Sequence, residues 1–361
     1  MHNSKKNTAR RDRPAANKKK PSPSILIILT GSLGDVARGL CLVSHIKSHW
    51  PHSRVSWLIE RKKAELVSIH PQLDDVIIFD RSGGIRGILN LRRALHREQF
   101  DITLDLQRIF KSGFFSLLSR ARRRIGFHRR NCKEMNWLFN NEKIPFYHED
   151  LPKLDHYLKF TEHLGLPVPD RLDFGLVGPQ LDKALPPTVT DIRKSCVAVV
   201  MGSSWESKDW HFEGYLQLVR RIGTDLKRRV VLLGGSSQGP AAQRLIKKSN
   251  PTGVIDLTGN SLVEMTAVLE AAAAAVGPDS GPGHLAAAVG TPYVTLFGPT
   301  PAGRHAPYGC EDLVVISGAD CAPCYAKRCR EGTNRCMLDI DVQVVVQKIT
   351  RALARSQKSK K

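Results

Sequence analysis

The sequence predicts an α/β protein made of two successive units, each a parallel sheet with helices on both faces. Three observations lead there. Short apolar runs alternate with segments of helical period, the alternation restarts after a Pro-containing stretch near the middle, and Gly-containing turns follow several of the runs.

Residues 1–23 are rich in Lys, Arg, Asn, Pro and Ser without apolar period, which predicts a disordered basic arm. Ile25–Leu29 is a short, wholly apolar run, as expected of a strand buried on both faces. The turn Gly31-Ser32-Leu33-Gly34 follows, and then Val36, Leu40, Val43, Ile46 and Trp50 recur at helical spacing until Pro51. Val55–Ile59, Val76–Phe79 and Ile102–Leu106 read as further strands, with a helix over Ile85–Leu95. The first unit is thus expected over residues 24–177.

Residues 178–194 carry Pro179, Pro186 and Pro187 with little apolar period and read as a linker. The second unit, residues 195–340, repeats the pattern with strands at Cys196–Met201, Val230–Leu233, Gly253–Leu257, Ala275–Gly277 and Tyr293–Phe297. Val342, Val345, Val346, Ile349 and Leu353 share one face of a terminal helix over residues 341–355, before a basic tail at 356–361. No period of about 20–50 residues repeats, so a solenoid is not expected.

A chain of 361 residues suggests about two domains, and 41% hydrophobic against 25% charged residues is enough for soluble cores. Net charge is +21; residues 1–23 supply +7 and residues 351–361 supply +5, leaving +9 on the body. Such a balance favours polyanionic partners without choosing among nucleic acid, acidic membrane and phosphorylated substrates. The apolar run after Lys18-Lys19-Lys20 ends at Thr30, too soon for a signal peptide, and no stretch nears the ~18–20 apolar residues of a membrane span. A cytoplasmic protein is expected.

Three segments at the carboxyl ends of predicted strands carry groups suited to chemistry. In Gly31-Ser32-Leu33-Gly34-Asp35 the glycines admit a ligand to the backbone, and Asp35 reads either as a helix cap or as a general base. Glu60, ending the second strand, would suit a ribose, but the turn lacks the G-x-G-x-x-G order. Gly202-Ser203-Ser204-Trp205-Glu206-Ser207-Lys208 offers hydroxyls and a lysine to a diphosphate, with a tryptophan-anchored polar loop as the equal alternative. Asp279, Ser280, Gly281 and His284 open an Ala-rich helix, another anion and sugar site.

The segments GSLGDVARGL, GSSWESKDW and VGPDSGPGHLAAAVGTPYVTLFGPT, followed by APYG, resemble in order the motifs of the ADP-heptose:lipopolysaccharide heptosyltransferases, glycosyltransferase family 9. Leu106-Gln107, Lys111-Ser112 and Arg124-Ile125-Gly126-Phe127 resemble the acceptor-side half, and the likeness runs from about Ile25 to about Leu353. The resemblance implies the GT-B architecture, two facing Rossmann-like domains with parallel sheets, and metal-independent inverting transfer from a nucleotide sugar such as ADP-heptose to a lipid-linked acidic glycan. It implies Asp35 as catalytic base, Lys208 acting on the leaving diphosphate, and Ser203, Ser204, Asp279, Ser280, Gly281 and His284 as donor-binding groups. Gln107, Lys111 and Arg124 would serve the acceptor. Members often carry an acid where this chain has Gly234-Gly235-Ser236-Ser237-Gln238, which puts the ribose contact in question.

Cys321, Cys324, Cys329 and Cys336 have a spacing that suits a structural zinc or an iron–sulfur cluster, with a reduced cysteine-rich loop as the favoured alternative. Catalysis itself is expected to need no cofactor. The run Arg120, Arg122, Arg123, Arg124, Arg129, Arg130 and Lys133 reads as a solvated face or as a surface for an acidic ligand, and the tails suit peripheral contact with anionic inner-membrane lipid. Another sugar or acceptor on the same fold is the first alternative. A basic nucleic-acid-binding protein is the second, but no helix-turn-helix, paired-histidine zinc finger or ribonucleoprotein motif supports specific nucleic-acid binding.

Overall fold

A computed structural model describes residues 22–176, 178–249 and 253–358. The basic arm therefore lies outside the described residues except for Ser22 and Pro23, as does the tail beyond residue 358. The first sheet comprises β1 (Ser24–Ile28), β2 (Arg54–Glu60), β3 (Asp75–Phe79), β4 (Ile102–Asp105), β5 (Arg123–Gly126) and β6 (Glu142–Lys143), in the order β3-β2-β1-β4-β5-β6. All its pairs are parallel, and Ile25 lies between Val55 and Ile102. Its helices are α1 (Leu33–Gly39), α2 (Cys41–His49), α3 (Arg61–Ser68), α4 (Gly84–His96), α5 (Phe110–Leu118) and α6 (Lys153–His163). Alternation along β1 sends Ile25 and Ile27 into the larger core and Leu26 and Ile28 into a second one, filled by Leu91 and Leu95 of α4 and Phe115 of α5. The helix expected from Val36 to Trp50 is realised as α1 and α2, which meet at Leu40, beside a Gly39 pressed on Leu29 and Trp57.

Residues 178–194, expected as a linker, carry two short helices between the two units. Pro179 and Pro187 each occupy the first turn of a short helix, α7 (Pro179–Ala184) and α8 (Pro187–Thr190), a position where a missing N–H costs nothing. Leu181 and Val189 are buried, and both helices pack on α11 of the second unit, defined below.

The second sheet joins β7 (Cys196–Val200), β8 (Arg229–Gly234), β9 (Val254–Thr258), β10 (Ala274–Pro278), β11 (Tyr293–Phe297) and β12 (Val314–Ile316) in the order β12-β11-β10-β7-β8-β9, again all parallel. Around it lie α9 (Phe212–Thr224), α10 (Gly239–Ser249), α11 (Leu262–Ala271), α12 (Gly281–Ala288), α13 (Ala302–His305), α14 (Arg335–Leu338) and α15 (Val342–Lys358). The terminal helix α15 docks on the second sheet and α9, burying Val345, Ile349 and Ala352, while Arg351 and Arg355 pair with Asp312. Among the described residues no helix is long and apolar enough to cross a membrane.

The two units meet most closely where α1 faces α12. A Cβ on Gly34 would lie 2.8 Å from the His284 ring, and one on Gly281 would lie 2.7 Å from the Leu33 side chain. Glycine is required at both places for the helices to approach.

Docking of α15 gives a stability prediction. Ile349 is fully buried, so Ile349→Ala should lower unfolding free energy by about 2–5 kcal/mol. An unchanged urea midpoint would show that α15 does not hold the second sheet.

Candidate active site

In each sheet the strand order reverses once, between β1 and β4 and between β7 and β10. Loops leaving the carboxyl ends of parallel strands part at such a reversal and leave a crevice. The turn after β1 and Gln107 after β4 flank the first crevice; the Ser203–Lys208 loop after β7 and Asp279 after β10 flank the second. Packing of α1 on α12 brings the two crevices together.

Ser32 caps α1 through the Asp35 amide, and its hydroxyl donates to Asp35 Oδ2 at 2.7 Å. Arg38 Nη1 donates to Oδ1 at 3.0 Å, and Lys153 Nζ of α6 lies 3.6 Å from the same oxygen. Burial alone would raise the Asp35 pKa, but Lys153, Arg38 and hydrogen bonds from Ser32 and Tyr157 hold it at about 2. Asp35 is therefore ionised, with its side chain 20% exposed toward the cleft. Arg38 also reaches the other unit, donating to His284 Nε2 at 2.6 Å. Burial first, then Arg38, His305, Lys153 and Lys208, keeps His284 well below the usual histidine range, so its ring is neutral and accepts.

On the opposite wall, Lys208 Nζ donates to Asp279 Oδ2 at 2.7 Å and lies 4.4 Å from the Trp205 ring centre; Thr300 Oγ1 donates to the same carboxylate. Burial raises the Asp279 pKa, yet Lys208 and its neighbours carry it below the usual range. The Ser203 amide donates to Asp209 Oδ1 and its hydroxyl to the Trp205 carbonyl, so Ser203 shapes the loop while Ser204 is exposed. Ser280 starts α12 without capping it, which leaves the amides of the first turn, from Gly281 on, without a side-chain acceptor from the cap. Arg304 of α13 has a buried Nε with no hydrogen-bond partner. Burial holds its neighbour His305 at about 3, against the pull of Asp279.

The structure thus brings together Asp35, Lys208, Asp279, Ser280 and His284. It adds Arg38, Lys153, Tyr157, Thr300 and Arg304, none of which was singled out in the sequence. Arg38 and Thr300 lie inside the quoted GSLGDVARGL and VGPDSGPGHLAAAVGTPYVTLFGPT segments and were within reach of that signal; the others come from remote segments.

A cavity of about 180 Å³ opens beside Asp35, lined by Gln107, Arg108, Lys133, Lys153 and Tyr157 among others. Gln107 accepts from Thr30 Oγ1 at 2.8 Å and stands against the Gly31 turn. Lys111 is outside this lining and pairs with Glu60 at 2.9 Å, which engages the acid considered for a ribose. Arg124 is outside it too, its guanidinium spent on the carbonyls of Ala121 and Phe139. Arg123 forks onto Glu142, so the basic run is divided: part of it builds β5 and ties it to β6, and Arg129, Arg130 and Lys133 follow at the carboxyl end. A larger cavity, about 530 Å³, lies at the far end of α12 beside Phe174 and Tyr308 and contains none of these groups.

The metal reading of the cysteines gains no support. Among the described residues no group of three or more His, Cys, Asp or Glu side chains could hold a metal ion. Cys336 is buried, with its sulfur close against Gly298, whereas Cys321 and Cys324 are exposed. The cysteine-rich segment braces the Ser203–Lys208 loop: Ser207 donates to the carbonyls of Ala326 and Lys327.

Beneath Gln107, buried Asp105 accepts from Asn136 at 2.7 Å, from Asn140 and from the Gln107 amide. Burial outweighs these donors and pushes its carboxyl up to about 6. The folded state then binds more protons than the unfolded chain between about pH 4 and 6, so this group's contribution to stability falls as pH rises through that window. Asp105→Asn should flatten that fall in urea midpoints taken at the two ends. Identical slopes in variant and wild type would remove Asp105 as the cause.

The family model for glycosyltransferase family 9 (heptosyltransferase) matches residues 88–334. The chain is 30% identical over 300 residues to the lipopolysaccharide core heptosyltransferase OpsX of Haemophilus influenzae, covering 81% of this chain and 84% of that one. It is 27% identical to lipopolysaccharide heptosyltransferase 1 of Pseudomonas aeruginosa, covering 84% and 87%. In structure it resembles Escherichia coli heptosyltransferase WaaC with ADP (TM-score 0.77, 22% identity, 91% of this chain and 99% of that one) and the same enzyme with ADP-2-deoxy-2-fluoro heptose (TM-score 0.73, 22% identity, 91% and 99%). Those likenesses agree with the two facing Rossmann-like units described above, the GT-B architecture. The chain belongs to glycosyltransferase family 9 and is a glycosyltransferase of the heptosyltransferase type.

Proposed function

We propose that the protein transfers a heptose from ADP-heptose to the inner core of lipopolysaccharide, on Kdo–lipid A or a heptosyl acceptor, with inversion at the anomeric carbon. The observation that carries this reading is the meeting in one cleft of a carboxylate on the first unit and a lysine–aspartate pair on the second, amid surplus cations. Relatives named for the lipopolysaccharide core support the choice of acceptor.

In this reading residues 24–177 hold the acceptor and residues 195–340 the nucleotide sugar, with 178–194 attached to the latter through α7 and α8. An acceptor hydroxyl beside Gln107 gives its proton to Asp35 while its oxygen attacks the anomeric carbon. The bond to the diphosphate breaks, and its electron pair leaves with the phosphate. Lys208 and the first-turn amides of α12, with Ser204, Ser280 and Gly281 nearby, stabilise that charge. The incoming diphosphate also gives Arg38 and Lys153 a second anion to serve, which loosens their hold on Asp35 and raises its basicity. Side-chain cations supply the charge, so the route calls for no cofactor. The site of action is the cytoplasmic face of the inner membrane, where the protein meets a lipid-linked acceptor.

Two substitutions test the roles. Asp35→Asn should cut transfer by ~10²–10⁴-fold while ADP binding and folding persist; a folded variant with the wild-type rate would remove Asp35 from the mechanism. Lys208→Ala should weaken ADP binding about tenfold or more, because it removes a cation and leaves the buried Asp279 carboxylate without that partner beside the diphosphate. Titration calorimetry with ADP decides it, and unchanged affinity would leave the loop a structural role alone.

A further inference from the structure

Exposed large apolar side chains are concentrated on one part of the first unit. Ile85 (78% exposed), Ile88 and Leu89 lie in the first two turns of α4, Phe110 (52%) begins α5, and Met135 (59%) and Leu138 lie on the segment packed against α5. Helices α4 and α5 cover the same face of the first sheet, since Leu91, Leu95 and Phe115 share one core. Each starts at the carboxyl end of a strand, β3 and β4, so these apolar side chains are carried at the edge of the sheet where Asp35 and Gln107 lie. They continue into the acceptor-side cavity, whose lining includes Ile109, next to Phe110, and Lys133, two residues before Met135.

The charge around this rim has one dominant sign. Helix α4 contains Arg86, Arg92 and Arg93 and no acid, and α5 contains Lys111 and no acid. Arg129 lies over the Trp137 ring and Arg130 over the Phe146 ring, pairing cations with partly apolar surface. The nearby acids are engaged: Glu60 pairs with Lys111, Asp80 accepts from Ser82 and pairs with Arg61, and Glu134 accepts from the Phe110 amide, which leaves the arginines as the surplus charge. Apolar side chains standing proud among arginines match the boundary of an anionic bilayer, where acyl chains take the former and phosphates the latter.

We propose that this rim, formed by the starts of α4 and α5 and the Met135–Leu138 segment, inserts shallowly into an anionic phospholipid surface and holds the acceptor cavity open toward it. The proposal rests on the lipid-linked acceptor of the reading above, yet lipid binding can be measured without any sugar chemistry. The test uses the full chain with vesicles of equal parts phosphatidylglycerol and phosphatidylcholine, free of glycolipid, with pure phosphatidylcholine as control. Ile85→Glu/Leu89→Glu, on the exposed side of α4 and outside the cleft, should reduce co-sedimentation with the anionic vesicles about tenfold. The variant should transfer more slowly to acceptor embedded in such vesicles and keep wild-type kcat/KM on a delipidated, water-soluble acceptor. Vesicle binding that survives the double substitution, or that depends on salt alone as the basic tails would make it, overturns the proposal. Loss of vesicle binding in a variant that keeps the wild-type urea midpoint, with no sugar transfer by the wild-type chain to either acceptor, would support the lipid surface and overturn the proposed reaction instead.

Discussion

Arg38 donates to His284 across the boundary between the two units, and that bond exists because His284 is neutral. A protonated imidazole there would place a second cation against the guanidinium in a buried gap and repel it. Burial and the surrounding cations remove that option, so the ring is left as an acceptor. Arg38 uses its other nitrogen on Asp35, one turn earlier in α1, while His284 sits on the helix that begins just after Asp279. One guanidinium therefore sets the position of the carboxylate on the first unit relative to the start of α12 on the second.

The close approach that this contact needs is purchased by small residues. Gly34 and Gly281 leave room for the His284 ring and the Leu33 side chain, and both precede or begin the helices that face the cleft. Two helix starts and several cations then share one gap, in which Asp35 and Asp279 are each paired with a cation. Such a gap is strongly biased toward a multiply charged anion, which fits a nucleoside diphosphate better than a neutral sugar alone.

Much of this was legible in the sequence because wholly apolar strands announce themselves. Ile25–Leu29, Cys196–Met201 and Tyr293–Phe297 are buried on both faces, and the structure places strands at all three. Strands β5, β6 and β12 were not legible: they are short, and Arg123-Arg124 and Glu142-Lys143 carry charge where a sheet interior would be apolar. Residues 178–194 show little apolar period, and the two short helices that Pro179 and Pro187 open there were not legible. In the site, Asp35, Lys208 and Asp279 stood out because each follows a strand end. Lys153 and Arg304 did not, since α6 and α13 reach the cleft only through tertiary packing. Arg124 had the right charge, but its guanidinium is held by backbone carbonyls.

Lys208 is paired with Asp279 before any ligand arrives, and this has a kinetic side. An anion that binds must exchange one partner of the lysine for another, so its hold reflects the difference between two pairings and not the full strength of one. The same carboxylate stands ready to reclaim the lysine once the sugar has gone. In the proposed reaction an internal competitor of this kind would shorten the stay of a spent diphosphate, where a cleft of unpaired cations would hold it longer.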